Sequence, residues 1–347
     1  MAQLLLALDF GGTKHTAAVA LDGERQWRTH QRILSPPHPD MRSDLEAMRA
    51  LAREVLAGER PAAVGVSFGG PVDASTGTVR LSNHVPGWEN VPLREMLEAE
   101  FGAPVRVEND ANAAALGEHH FGAGRGHDSL LYITVSTGVG GGWILNGQLW
   151  RGAQGMAGEI GHTVVDPDGP LCLCGKRGCL ERLASGQYIA QRARNWLAGD
   201  SPDFQSPGES EVSRPRPGTE QDLGSLGRSG DILRALAGEN PDTITARMVA
   251  EAAARRDDLA WRVLEVAARA LGLAIGNTAN LINPQRFVLG GGVTHAGERF
   301  WEAVRRVARE TALPEILYDI VPAALGDDAP LWGAVILAKD CLPIPFR

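Results

Sequence analysis

Twice along this chain a buried strand runs into glycines and then into a second strand. The first instance is LLLALDF (residues 4–10), then Gly11, Gly12 and Thr13, then TAAVAL (16–21). The second is SLLYITVST (129–137), then Gly138, Gly140, Gly141 and Gly142, then WILN (143–146). A run as apolar as 4–10 fits a strand buried on both faces. A Walker loop or a dinucleotide fingerprint places a helix after its glycines. A strand in that place makes a hairpin instead. The recurrence at the opening of each half implies a duplicated α/β domain with a cleft between the halves. One glycine hairpin is common for conformational reasons alone; the matched pair points toward phosphate.

The bulk properties narrow the class. The 347 residues are enough for two ordinary domains. Apolar residues make up 44% and charged residues 22%, as in a soluble globular protein. With 42 acidic and 34 basic residues the net charge is −8, which argues against nucleic acid or an anionic membrane as partner. No apolar run approaches a membrane span. The opening MAQLLLALDFGG has no basic region and reads as a strand, not a signal peptide. A cytoplasmic location is therefore expected, where clustered cysteines favour metal over disulfide.

Further strands are expected at AAVGVSFGG (62–70), PVRVEN (104–109) and RFVLGGGV (286–293). Helices are expected at DANAAALGEHHF (110–121), 184–198, 231–238, 244–256 and 258–281, with a closing apolar helix in 328–340. The expected division is a small α/β domain of residues 1–117 plus the C-terminal helix at about 330–347. The large α/β domain is 118–329. Residues 199–230 are rich in Gly, Pro, Ser and Glu, and read as a mobile surface insertion.

The segment GEIGHTVVDPDGPLCLCGKRGCLE (158–181) holds His162, Cys172, Cys174 and Cys179. Thiolate and imidazole are zinc's preferred ligands, and four of them close a tetrahedral structural site. A redox thiol pair is the competing reading. Glu159 and Glu181 bracket the cluster, so a metal pinning the loop would also fix two acids. Cys341 lies far from the others and reads as an inert core thiol.

Asp9 ends the first strand beside backbone amides that Gly11 and Gly12 leave open to phosphate. Thr13 and Lys14 add a hydroxyl and a positive charge. Magnesium bridging Asp9 and nucleotide phosphates would relieve the repulsion between them; otherwise Asp9 caps a tight turn. Asp110 follows Glu108 and Asn109 at a strand-to-helix junction. It reads either as an ordinary N-cap or as a general base accepting a hydroxyl proton during phosphoryl transfer. Asn83, Asn109, Glu159 and Glu181 are polar groups suited to a polyol.

Taken together, these motifs resemble the ROK family of bacterial sugar kinases and repressors, in the actin–hexokinase superfamily. The resemblance covers nearly the whole chain. LALDFGGTK is similar to the family's first phosphate motif and STGVGGG to its second. The 158–181 segment is similar to its zinc-and-sugar segment, and VLGGGV to its adenosine-side motif. ENDANAAALGE, PGWENVPL and CGKRGCLE are most similar to glucokinase members.

The resemblance implies an actin-like ATPase fold, duplicated and ribonuclease H-like, whose two domains close over sugar and ATP. Asp110 would be the catalytic base. Asn109, Glu159, His162 and Glu181 would contact the sugar, with Asn83 and Gly70 in the same pocket. His162 would put one ring nitrogen on zinc and the other toward the sugar. Gly11, Gly12, Thr13, Lys14, Thr137 and Gly138 would hold ATP phosphates, with Asp9 near Mg²⁺. Gly290 and Gly291 would lie at the adenosine, and Zn²⁺ would be structural. A homodimer or dimer-based oligomer is implied. Glucose is the expected sugar; N-acetylmannosamine, fructose and allose are alternatives, as is a sugar-sensing regulator without activity. The donor is ATP or polyphosphate. The family's repressors carry an N-terminal helix-turn-helix, for which a strand starting at Leu4 leaves no room. His15 stands where the family usually has an apolar or small residue.

Overall fold

The computed structural model describes residues 3–82, 85–199 and 230–343. The expected insertion at 199–230 and the candidate Asn83 fall largely or wholly outside them. In chain order the strands are β1 (Leu4–Phe10), β2 (Lys14–Leu21), β3 (Thr29–Leu34), β4 (Ala63–Phe68), β5 (Val72–Asp73), β6 (Thr78–Val79), β7 (Val105–Asn109), β8 (Leu130–Val135), β9 (Val139–Leu145), β10 (Gln148–Trp150), β11 (Arg286–Gly290) and β12 (Asp319–Pro322). The helices are α1 (Met41–Leu56), α2 (Leu93–Phe101), α3 (Asp110–Phe121), α4 (Leu180–Ala184), α5 (Gly186–Ala198), α6 (Asp231–Ala237), α7 (Ala246–Ala254), α8 (Asp258–Ile282), α9 (Glu298–Thr311) and α10 (Ala329–Lys339).

The two large sheets run β3-β2-β1-β4-β7 and β10-β9-β8-β11-β12. With strands counted as they occur in each sheet, both follow one order, hairpin first and later strands added beyond it. That is the duplication the paired hairpins predict. In the first sheet β1 is antiparallel to β2 and parallel to β4, and β4 is parallel to β7. The chain divides into two compact units. One comprises Met1–Tyr132, Gly141–Gly158 and Val321–Arg347, the other Ile133–Gly140 and Glu159–Ile320.

Within the first unit, β1 is apolar throughout because it faces two layers. Leu4, Leu6, Leu8 and Phe10 join Leu45, Met48, Leu51 and Val55 of α1 in one core. Leu5 and Ala7 join Leu331, Trp332 and Val335 of α10 in another. Alternation of side chains along a strand makes both possible at once. Helix α10 sits close to its neighbours because small residues leave room. A Cβ on Gly65 would come 1.8 Å from the Ala334 carbonyl oxygen, and one on Gly333 would come 1.7 Å from that of Ala113.

Two expectations shift. Strand β2 starts at Lys14, two residues before the expected strand, and β9 starts at Val139. Gly140, Gly141 and Gly142 therefore belong to a strand and not to the turn. At Gly142 the reason is packing, since a Cβ there would lie 2.6 Å from the Ala111 carbonyl oxygen of α3. Helices α1, α2 and α9 go beyond the sequence reading. The capping box of Asp40 and Ser43 opens α1, the side chain of each bonding to the other's backbone N–H.

Candidate active site and cysteine knuckle

In the first unit the candidate residues gather at the carboxyl ends of β1, β4 and β7, where open parallel sheets bind ligands. Register puts Asp9 beside Ser67 and Phe68 beside Asn109. Ser67 Oγ donates to Asp9 Oδ1 at 2.7 Å. Burial pushes the Asp9 carboxyl up to about 6, with the Asp110 charge adding to the effect and the Ser67 hydrogen bond opposing it. A buried carboxylate of that kind calls for a cation. Magnesium with nucleotide phosphate would supply one.

The first glycine turn closes with the Gly11 amide donating to the Lys14 carbonyl at 3.1 Å. Gly12 and Thr13 are exposed at its tip. Lys14 Nζ donates to Asp327 at 2.5 Å. Any phosphate reaching Lys14 would compete with that carboxylate.

Asn109 caps α3 and also organises Asp110. Its Oδ1 accepts from the amides of Ala111 and Asn112, at 3.0 and 3.2 Å. Its Nδ2 donates to the Gly70 carbonyl at 3.1 Å and to Asp110 Oδ1 at 3.0 Å. Asp110 Oδ1 also accepts the Ala111 amide at 2.8 Å. Two donors thus orient Asp110 at Oδ1, and Oδ2 is the oxygen nearer Gly69. Glu108 backs this corner from inside. It accepts from the Asn109 amide, from Asn112 Nδ2 and, at 2.6 Å, from Arg151 Nε. Ser67, Glu108 and Arg151 escape the sequence reading because only strand pairing and the return of β10 bring them to this corner.

In the second unit the cysteine segment folds into a knuckle. The Gly175 amide donates to the Cys172 carbonyl, and the Cys172 amide to the Lys176 carbonyl. Short bridges Leu171–Arg177 and Val164–Cys179 close its base. Gly178 has φ 65°, and a Cβ on it would lie 1.4 Å from the Asp166 carbonyl oxygen. Only glycine fits there.

The ligand atoms of His162, Cys172, Cys174 and Cys179 all lie within 4.8 Å of one another. Cys174 and Cys179 sulfurs are 3.5 Å apart, and Cys172 Sγ is 4.0 Å from His162 Nδ1. Two thiolates on one tetrahedral zinc stand about 3.8 Å apart, so the donor set fits that ion. Burial pushes the Cys179 thiol up to about 12, whereas the Lys176 backbone amide brings Cys174 down to about 7. A divalent cation would favour both thiolates.

Glu159 is exposed ahead of the short turn Ile160–His162. Glu181 faces the second glycine turn. Its Oε2 accepts the Val139 amide at 2.9 Å, and a Cβ on Gly138 would lie 2.7 Å from that oxygen.

Thr137 lines a cavity of about 970 Å³ in the same unit, together with Ser136, Gln187, Thr245, Gly292, Val293 and His295. Gly290 and Gly291 are not on its wall. Gly290 ends β11 and is buried, and a Cβ on Gly291 would lie 2.4 Å from the Val135 carbonyl oxygen. The glycine-rich motif thus serves close packing at its start and lines the cavity at its end. Gln187, Thr245 and His295 carry no motif that marks them in the sequence.

The family pattern that matches this chain is described as the ROK family, over residues 5–341. The chain belongs to the ROK family. It is 33% identical to the glucokinase of Thermotoga maritima over 340 residues, 97% of each chain. A ROK family glucokinase from Streptomyces griseus, solved with glucose and AMPPNP, superimposes with a TM-score of 0.77 at 33% identity, covering 97% of this chain and 99% of that one. The ROK hexokinase of Thermus thermophilus gives a TM-score of 0.76 at 33% identity, covering 97% and 98%. The fold is the actin-like ATPase type of these ROK proteins. Among the described residues, no helix is long and apolar enough to cross a membrane.

Proposed function

We propose that this ROK protein is an ATP-dependent glucokinase, converting glucose and ATP to glucose 6-phosphate and ADP. One observation carries the reading beyond family membership. Asp110 stands at a strand-to-helix junction with one oxygen fixed by Asn109 Nδ2 and the Ala111 amide. A base must be aimed before it can act, and this one is held beside the first phosphate turn.

Asp110 takes the proton of the sugar hydroxyl as that oxygen attacks the γ-phosphorus, and ADP departs. Such a base contributes roughly 100- to 10,000-fold in rate. Backbone amides around Gly11, Gly12, Thr13, Thr137 and Gly138 solvate the phosphates, and Asp9 supports the accompanying Mg²⁺, which neutralises charge on them. Gly70, Asn83, Asn109, Glu159, His162 and Glu181 bind the hexose. Zinc on His162, Cys172, Cys174 and Cys179 is structural and keeps Glu159 and Glu181 placed. The cavity lined by Thr137, Gln187, Thr245 and His295 receives the adenosine. The enzyme acts in the cytoplasm as a homodimer.

A coupled assay over glucose, N-acetylmannosamine, fructose and allose, with ATP and with polyphosphate, tests this. Turnover of glucose with ATP is expected to exceed the others. Absence of glucose turnover would sink the glucokinase reading.

A further inference from the structure

His15 is the first residue beyond the first glycine turn, paired with Phe10 across the hairpin. Its ring is completely buried. Nε2 lies 3.0 Å from Asp44 Oδ1, and the indole Nε1 of Trp88 donates to Asp44 Oδ2 at 3.3 Å. Asp44 and Trp88 are buried as well. The Phe10 ring stands edge-on to the rings of His15 and Trp88, 5.7 Å from each centroid. One carboxylate in the first turn of α1 therefore holds two separate segments. One is the end of the phosphate turn; the other is the loop around Trp88, whose ring stands edge-on to that of Phe68 at 4.7 Å, next to Gly69 and the candidate sugar residue Gly70. That loop is also docked on the helix, its Pro86 carbonyl accepting the Met41 amide at 3.0 Å.

Such an arrangement is expensive if its only task is to fill space. Buried carboxylates pay a desolvation penalty that well-packed apolar groups of similar volume avoid. Among the described residues His15 Nδ1 has no hydrogen-bond partner, so within them the network leaves a buried polar atom uncompensated. What it gains is geometric. The two segments cannot shift relative to each other without breaking a hydrogen bond to Asp44.

We propose that His15 and Trp88, joined through Asp44, are positioning residues that couple the phosphate turn to the sugar-side loop, so that sugar binding tightens nucleotide binding. The inference rests on the glucokinase reading. Contiguous hydrogen-bond networks are one route by which two sites can bias one another, and the coupling itself is what the binding ratio below measures. The coupling is reciprocal by linkage.

The test is calorimetric titration of AMPPNP with Mg²⁺, with and without saturating glucose, alongside glucose turnover. The proteins are wild type, Trp88→Phe, His15→Leu and Asp44→Asn. Trp88→Phe keeps the ring and removes only the N–H. Glucose is expected to tighten AMPPNP binding at least about 5-fold in the wild type. In Trp88→Phe and His15→Leu that ratio should fall to within about 2-fold of unity. A merely structural role would lower Tm and leave the ratio in place. A preserved ratio in both variants, or a wild-type ratio of one, overturns the inference while the glucokinase reading stands on its turnover. A wild type that turns over no glucose fails that reading, and the inference with it.

Discussion

Glu181 Oε2 accepts the amide hydrogen of Val139 at 2.9 Å, across 42 residues of sequence. The residue that closes the cysteine segment thus grips the strand leaving the second glycine turn. A Cβ on Gly138 would intrude to 2.7 Å from the same oxygen. Gly138→Ala should therefore push the carboxylate off the Val139 amide. Expected is a rise in KM for glucose of about 10-fold as Glu181 is displaced, together with a lower Tm, because the charge-assisted bond lost is the protein's own. Steady-state kinetics and a thermal melt together check it.

Asp110→Ala should lower kcat roughly 100- to 10,000-fold. KM for glucose should move only a few-fold, because Asn109 keeps its cap and its bond to the Gly70 carbonyl. Activity near wild type would remove Asp110 as the base.

The carboxyl of Asp9 is raised from 3.8 to about 6, first by burial. Between pH 4 and 6 the native state holds a proton that the unfolded chain has released, so stability is lost as pH rises through that window. Asp9→Asn should be more stable than wild type by roughly 3 kcal/mol at pH 8 without nucleotide. The difference should shrink toward zero at pH 4. Denaturant melts at the two pH values measure it, and an equal difference at both would contradict the burial argument.

Cys172→Ser should cost stability and sugar affinity together, because a structural ion's binding free energy is folding free energy. Elemental analysis of the wild type should find about one zinc per chain. Active protein without zinc would end the structural-metal reading.

Gly333→Ala tests the packing under the site. Its Cβ would lie 1.7 Å from the Ala113 carbonyl oxygen, forcing α10 away from α3. Overpacking of this kind costs about 1–3 kcal/mol, or more where only backbone can yield. Because α3 carries Asp110, kcat should fall along with Tm.

Much of this arrangement is legible in the sequence because it is written in local chemistry. The doubly buried β1 shows as an unbroken apolar run from Leu4 to Phe10, and the cysteine knuckle as four zinc-type ligands within 18 residues, His162 to Cys179. The duplicated topology follows from two glycine hairpins. Even Asp110 is marked by its place at a strand-to-helix junction. What local chemistry cannot express is which distant groups meet. Ser67 reaches Asp9 only through the parallel register of β1 and β4. Arg151 reaches Glu108 only after β10 has folded back. Gly142 reads as a turn residue and is a strand residue cleared for α3, and Gly291, read as an adenosine contact, also lies close against the Val135 backbone. His15, which no motif explains, becomes intelligible only beside Asp44 and Trp88. The sequence by itself determined the strands, the turns and the ligand types, because these depend on side-chain period and backbone freedom. Tertiary structure decided the partners, because hydrogen bonds and close contacts between remote segments depend on register and packing distance.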